Sequence, residues 1–306
     1  MFSEDIKLEK DVVTLIAFFY FLCLILIMEN GYILIVLGKE WAQCGTLSPV
    51  NKILTSLSAS RFLLQWVVCG KNLYILLYPM VFPYNPVHQY LAFHWDFLNA
   101  VSLWSSALLS VFYCVKITTF TYPIVLWLKW RISRFVTWLL FGSFGISLMT
   151  AFLFFIGNHY IYYIYSVKSL LSENSSMEDL RRQLETYYFF PLKVVSSSVP
   201  AAIFTIAMVF LITSLERHRK KMLHSDSALW GFRFQAHTKA LKTLISFSIL
   251  FASYFFAVMV NASNILPSLK SWYWGWQALI YLCIAIHSMI LILNNPRLLC
   301  WRRRAA

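Results

Sequence analysis

Charged side chains are scarce in this sequence. They make up 13% of its 306 residues, whereas 59% are hydrophobic. A soluble domain carries about 25% charged residues, because water must solvate its surface. This chain has too little charge to form such a surface, so most of its exterior must face lipid. The composition therefore excludes an ordinary soluble protein and predicts an integral membrane protein.

Residues typical of flexible linkers are also few. There are nine glycines, nine prolines and no low-complexity tract, which favours one membrane domain over residues 1–306. The net charge of +13 does not indicate nucleic-acid binding, because the basic residues lie in short segments between apolar stretches. The six cysteines show no spacing typical of a metal site.

Signatures of catalysis are missing. There is no HExxH, no GxSxG and no glycine-rich phosphate loop, and the seven histidines are scattered. Carboxylates within apolar stretches are few, with Glu29 and Asp96 the main candidates, so a proton-coupled transporter is poorly supported. The two halves of the chain do not repeat each other, as they do in many transporters. We therefore expect no enzymatic activity, no metal and no cofactor.

Long apolar stretches are what the sequence does contain. A helix needs about 20 mostly apolar residues to cross a bilayer. Seven stretches are long enough: 12–37, 52–80, 89–117, 135–157, 187–215, 239–263 and 274–294. They predict an all-α integral membrane protein, a bundle of seven transmembrane helices. The second stretch is the least regular, because Arg61, Gln65 and Lys71 interrupt it.

Basic residues are distributed unevenly between the segments that join these stretches. Lysines and arginines cluster in alternate segments and in the tail at 295–306. Because such residues are enriched in cytoplasmic loops, the N-terminus at 1–11 is expected outside and the C-terminus inside, in the plasma membrane. The longest outer segment, 158–186, contains Asn174 in an Asn-Ser-Ser triplet, which predicts a glycosylation site.

Seven spans with a basic third inner loop are the architecture of a G-protein-coupled receptor. The landmarks of rhodopsin-type receptors are nevertheless absent. Residues 112–116 read Phe-Tyr-Cys-Val-Lys where Asp-Arg-Tyr would stand, and the seventh stretch has no Asn-Pro-x-x-Tyr. The segment 158–186 has no cysteine, so the usual disulfide to the third span cannot form.

Short strings in six of the stretches instead resemble the bitter taste receptors, the type 2 taste receptor family. Residues 29–33 read Glu-Asn-Gly-Tyr-Ile, and 59–65 read Ala-Ser-Arg-Phe-Leu-Leu-Gln. Further similar strings lie at 109–117, 211–218, 236–242 and 287–292, each at the position that the family pattern requires. One such string is weak evidence, but six in order over most of the chain are strong evidence.

The resemblance implies a cavity for bitter compounds that opens outward, lined by Trp95, Asn99, Tyr254 and Gln277. Trp95 and Asn99 are four residues apart and so share one helix face. An indole beside an amide suits an amphipathic ligand. Asp96 points about 100° away from Trp95 on a helix. The alternative is an interfacial tryptophan with an asparagine bonded between helices, and ordinary packing for Tyr254 and Gln277.

The resemblance also implies a docking surface for a G protein at the inner ends of the helices. Its expected members are Tyr113, Lys116, Arg217, His218, Lys220, His237 and Lys239. The simpler alternative is that the basic members contact anionic lipid, and both can hold together. Asn30, Arg61 and His287 are expected to form an intramembrane network, with Asn30 and Arg61 linking adjoining spans, because an unpaired arginine there is costly.

The function implied is a receptor that binds small, mostly amphipathic bitter compounds and activates a heterotrimeric G protein of the gustducin type. A pheromone-type chemosensory receptor, a small membrane transporter and a lipid-handling protein are the alternatives. Membrane lipids are expected partners, and nucleic acid is not. The sequence leaves open whether the chain forms a homo- or hetero-oligomer.

Overall fold

The computed structural model describes residues 10–78, 85–117, 123–170, 177–222, 230–262, 271–295 and 298. Seven long helices and two short elements account for nearly all of them. The long helices are α1 (Lys10–Cys44), α2 (Pro49–Leu77), α3 (Pro86–Ile117), α4 (Pro123–Leu170), α6 (Phe190–Met222), α7 (Trp230–Ala262) and α8 (Ser271–Asn294). A short α5 (Met177–Leu184) and a π-helical turn (Glu185–Phe189) lead into α6.

Each of the seven long helices is long and apolar enough to cross a membrane. A helix satisfies its backbone hydrogen bonds internally, as hydrocarbon requires. Large apolar side chains cover the outside of the bundle, among them Met28, Trp138 and Phe141. The predicted seven-helix membrane bundle is therefore confirmed. We call the end where α1 begins the upper end, and the opposite end the lower end.

The turn between α1 and α2 has a clear local cause. Gly45 has φ +69°, a left-handed conformation that costs glycine little, and its N–H donates to the Trp41 carbonyl at 2.8 Å. Ser48 then caps α2 by accepting from the Asn51 N–H at 3.3 Å, with Pro49 at the first helical position. The two helices are thereby joined by a sharp lower turn.

The helices pack as a closed ring in the order α1, α2, α3, α6, α7 and α8, and α4 packs against α3 and α2. Helix α3 contacts α2, α4 and α6, while α8 packs between α1 and α7. One apolar cluster fills the upper half between α1, α2 and α8, and a second fills the lower half around α1 to α3. A third lies between α3, α6 and α7, where the rings of Phe204 and Phe251 stack at 3.8 Å.

A close approach joins α4 to the π-helical turn. A Cβ atom at Gly157 would lie 2.6 Å from the Tyr188 ring and 2.9 Å from the Phe189 ring. Neither ring can move away easily. The Tyr188 hydroxyl donates to the Leu153 carbonyl at 2.8 Å, and Phe189 stacks on Phe154. Position 157 therefore requires glycine for a packing reason.

We predict that Gly157→Ala destabilises the bundle by about 1–3 kcal/mol, because the added methyl overpacks a fixed pair of rings. The measurement is thermal unfolding of the purified protein in detergent micelles. The matched control is Gly145→Ala on the same helix, where nothing lies within 4 Å of the added atom. The control should keep or raise Tm, since alanine favours a helix over glycine. Equal Tm values for the two variants would contradict the prediction.

Candidate functional site

Trp95 and Asn99 lie one turn apart on the upper half of α3, and a hydrogen bond ties this face to α7. The Tyr254 hydroxyl donates to Asn99 Oδ1. Asn99 is only 4% exposed, so this amide is buried among helices. Trp95 and Tyr254 both pack against the upper apolar cluster, which contains Trp274 and Tyr281 of α8. Three of the four predicted ligand-binding residues are thus fixed around one α3–α7–α8 junction.

Gln277, the fourth, is buried on α8 in the same region. Its neighbour Trp276 donates from Nε1 to the Ala257 carbonyl of α7 at 2.9 Å, which holds α8 against α7. Gln277 brings a neutral amide to this junction. Any negative charge there must come from another side chain.

Asp96 supplies a negative charge near this junction, and its partner, Lys193, was not predicted from the sequence. Lys193 Nζ of α6 lies 2.5 Å from Asp96 Oδ1 and 3.9 Å from the centroid of the Trp95 ring. Lys71 of α2 approaches the same ring, with Nζ 5.7 Å from the centroid. The signal was present: a lysine inside an apolar stretch needs a counter-charge, and Asp96 was one of few carboxylates that could supply it.

Arg61 forms a network at mid-depth. Its Nε donates to Ser102 Oγ at 3.3 Å, and its Nη1 donates to His287 Nδ1 at 3.0 Å and Ser288 Oγ at 3.2 Å. Because a guanidinium only donates, His287 Nδ1 must accept, which places the imidazole hydrogen on Nε2. This side chain, 6% exposed, therefore joins α2 to both α3 and α8.

Among the described contacts, Asn30 bonds within its own helix and not directly to Arg61, and its place in the intramembrane network stays a prediction. Asn30 Nδ2 donates to the Leu26 carbonyl at 2.9 Å, within α1. An asparagine in a helix can reach the carbonyl one turn back, and this local bond competes with any partner on another helix. The group of α1 that interacts electrostatically with Arg61 is the Glu29 carboxylate.

A small cavity separates the Arg61 network from the Tyr254–Asn99 bond. Arg61, Ser102 and His287 line its lower side, and Tyr254 lines its upper side. The remaining lining residues are Leu103, Ser106, Leu250, Phe251, Cys283 and Ile284. It has room for about one water molecule. No pattern in the sequence indicates a cavity at this depth.

The predicted coupling residues lie at the lower end, on three helices. Arg217, His218 and Lys220 are exposed on α6, and Lys116 Nζ donates to the Lys129 carbonyl at 3.3 Å. Tyr113 packs between the lower and third apolar clusters. His237 and Lys239 belong to α7, but their side chains lie outside the described part of the structure, as does Asn174.

A bundle of seven membrane-spanning helices, with a polar network at mid-depth and basic residues at one end, is the architecture of a G-protein-coupled receptor. Comparison with known proteins narrows the class. The family described as "Taste receptor protein (TAS2R)" matches residues 8–303. The chain belongs to this family, the type 2 taste receptors, as the strings in its sequence predict.

Its relatives agree. The chain is similar to human taste receptor type 2 member 60, with 49% identity over 290 residues, 95% of this chain and 91% of that protein. Rat taste receptor type 2 member 135 is 46% identical over 288 residues, 94% of this chain and 90% of the relative. Residues 80–87 and 95–100 resemble the member 60 type in particular, and this similarity is confirmed.

We predict that Tyr254 and Asn99 are coupled in stability. Tyr254→Phe and Asn99→Ala should each destabilise the protein, and the double variant should lose about 0.5–1.5 kcal/mol less than the sum. Thermal unfolding of the four proteins in micelles measures this coupling. Tyr254→Phe combined with Asn72→Ala is the control, because Asn72 bonds to Tyr273 instead. Additive losses in the Asn99 cycle would contradict the bond.

Proposed function

We propose that this protein is a bitter taste receptor of the plasma membrane, which binds small amphipathic compounds at its upper end and activates a gustducin-type heterotrimeric G protein. The observation that carries the proposal is the succession of polar groups along the bundle axis. The Tyr254–Asn99 bond borders a cavity whose other wall is the Arg61 network. Membership of the type 2 taste receptor family supports the same function.

The orientation rests on charge. Lys52, Lys116, Lys129, Arg217 and Lys220 lie toward the lower end of the helices. The positive-inside rule places that end in the cytoplasm and the N-terminus outside. The upper end carries the Arg181–Glu185 ion pair, in which the charges cancel. Glycosylation at Asn174 belongs to the same orientation.

A ligand that binds Asn99 alters the upper junction, because the Tyr254 hydroxyl already donates to Asn99 Oδ1. A compound whose polar group replaces the Tyr254 hydroxyl at Asn99 breaks the α3–α7 bond, and its apolar part packs on Trp95. Gln277 completes the lining from α8. The ligand then favours an arrangement in which α7 stands away from α3. By linkage, that arrangement binds the G protein better at the lower end.

Coupling uses the lower ends of α3, α6 and α7. The lower end of α6 is an exposed basic surface formed by Arg217, His218 and Lys220. In the sequence, Lys239 lies in the first half of α7. Tyr113 and Lys116 end α3 beside them. The same basic side chains contact anionic lipid when no G protein is bound.

We predict that Trp95→Ala raises the concentration of bitter agonist needed for a response at least tenfold, because it removes the aromatic wall of the site. The measurement is G-protein dissociation in cells that display the receptor, after a screen of a bitter-compound panel. The control is Trp138→Ala, since that side chain is 73% exposed on the outside of α4.

The control should respond as the unaltered receptor does. Silence of a well-displayed receptor toward the whole panel would refute the proposed function. Trp95-dependent uptake of a labelled compound without G-protein dissociation would favour a transporter instead.

A further inference from the structure

The upper junction contains more positive charge than negative charge. Around the Trp95 ring stand two lysines, Lys71 and Lys193, and one carboxylate, Asp96. Asp96 is already bound by Lys193 at 2.5 Å. Glu185 of the π-helical turn is bound by Arg181 at 2.8 Å. Among the side chains that the structure describes around the Trp95 ring, one positive charge, that of Lys71, is therefore left over.

The ammonium of Lys71 lies apart from the two ion pairs that the structure describes at this end. Among the carboxylates that the structure describes, none forms an ion pair with its ammonium. It interacts electrostatically with Asp96, favourably, and with Lys193, unfavourably. The Trp95 ring lies 5.7 Å from Nζ, near the outer limit of a cation–π contact. A partly buried ammonium in this position gains from any anion that reaches it.

We propose that Lys71 is the counter-charge of the ligand site and that the receptor selects aromatic or amphipathic anions, such as carboxylates and sulfonates. The inference rests on the proposed function in one respect only, that ligands enter at the upper junction. The anion bonds to the Lys71 ammonium while the apolar part of the ligand packs against Trp95. Lysine is a point charge rather than a planar fork, so carboxylate and sulfonate are both accepted.

The same charges exclude cations. Gln277 offers an amide and no negative charge, and Asp96 is held by Lys193. An ammonium ligand would meet two lysines and would have to break the partly buried Lys193–Asp96 ion pair to gain a partner. Neutral analogues bind, but without the ion pair to Lys71. The expected order of affinity is anion, then amide, then ammonium.

The test uses four probes with one ring system: 2-naphthoate, naphthalene-2-sulfonate, 2-naphthamide and 2-naphthylmethylammonium. Binding to the purified full-length receptor in phosphatidylcholine nanodiscs is measured by saturation-transfer NMR titration, and G-protein dissociation is measured separately in cells. Both anions should bind about tenfold more tightly than the amide, which corresponds to one charge-assisted bond. The ammonium should bind more weakly than the amide.

Three variants assign the effect to Lys71. Lys71→Gln should weaken both anions about tenfold, to the level of the amide, and leave amide binding unchanged. Lys71→Arg should keep the preference for anions, which shows that a folded site with the charge is sufficient. Lys52→Gln removes the same charge from the lower end of the same helix, where Nζ bonds to Thr137, and should change neither affinity.

The outcomes separate this inference from the proposed function. Lys71-dependent anion binding without G-protein dissociation supports the inference and refutes signalling. Signalling by neutral panel compounds without any preference for anions supports the function and overturns the inference. Failure of both anions to bind, or an anion preference that survives Lys71→Gln, also overturns it.

A lipid headgroup is the other possible source of an anion. Nanodiscs that contain phosphatidylglycerol as well as phosphatidylcholine distinguish the two. Equal naphthoate affinity in both discs supports a small-molecule site. Loss of naphthoate binding in the phosphatidylglycerol discs assigns Lys71 to lipid and overturns the inference.

Discussion

Arg61 determines which helices of this receptor must be neighbours. A guanidinium at mid-depth in a membrane protein has little water to bind, so its donors require partners from the protein. Ser102 on α3 and His287 with Ser288 on α8 provide them, and α2 provides the arginine. Apolar side chains cannot specify this arrangement alone, because lipid is as apolar as they are and drives no association between helices. The directional hydrogen bonds of this one buried cation therefore fix which helices are neighbours, and the apolar clusters fill the space between them.

The same reasoning applies to the polar contacts around Trp95, which lie nearer the upper end of the bundle. There the ties are the Tyr254–Asn99 bond between α7 and α3 and the Lys193–Asp96 pair between α6 and α3. In both contacts α3 is the common partner, and it contributes the polar side chains Asn99 and Asp96. Because α3 also ends at Tyr113 and Lys116, a change in its upper contacts acts on the helix that reaches the basic end. The packing of α3 against α2, α4 and α6 explains why contacts of several helices meet on it.

The fold was predictable from sequence, whereas the partners of the polar residues were only partly so. Seven apolar stretches are long, and their length alone identifies membrane helices. Trp95 and Asn99 could be placed on one face, because helical spacing is local information. Lys193 could not be paired with Asp96 in that way, since the contact joins residues 97 apart and depends on how α6 is rotated. Asn30 bonds to a carbonyl of its own helix, and sequence spacing does not distinguish such a bond from one to a neighbouring helix.

The small size of the mid-depth cavity constrains how the receptor can respond. This cavity holds about one water molecule, so a bitter compound that reached mid-depth would require a different arrangement of the helices around it. The Tyr254–Asn99 bond closes this region from above, and the Arg61 network bounds it from below. A ligand that takes over the bond of Asn99 exchanges one hydrogen bond for another, and this exchange costs little. Separating Arg61 from His287 and Ser288 would leave this buried charge with Ser102 as its one remaining hydrogen-bond partner among the described side chains, which is costly. In the proposed mechanism, the Tyr254–Asn99 bond is therefore the contact that opens, and α7 moves relative to a lower set of helices that Arg61 holds in place.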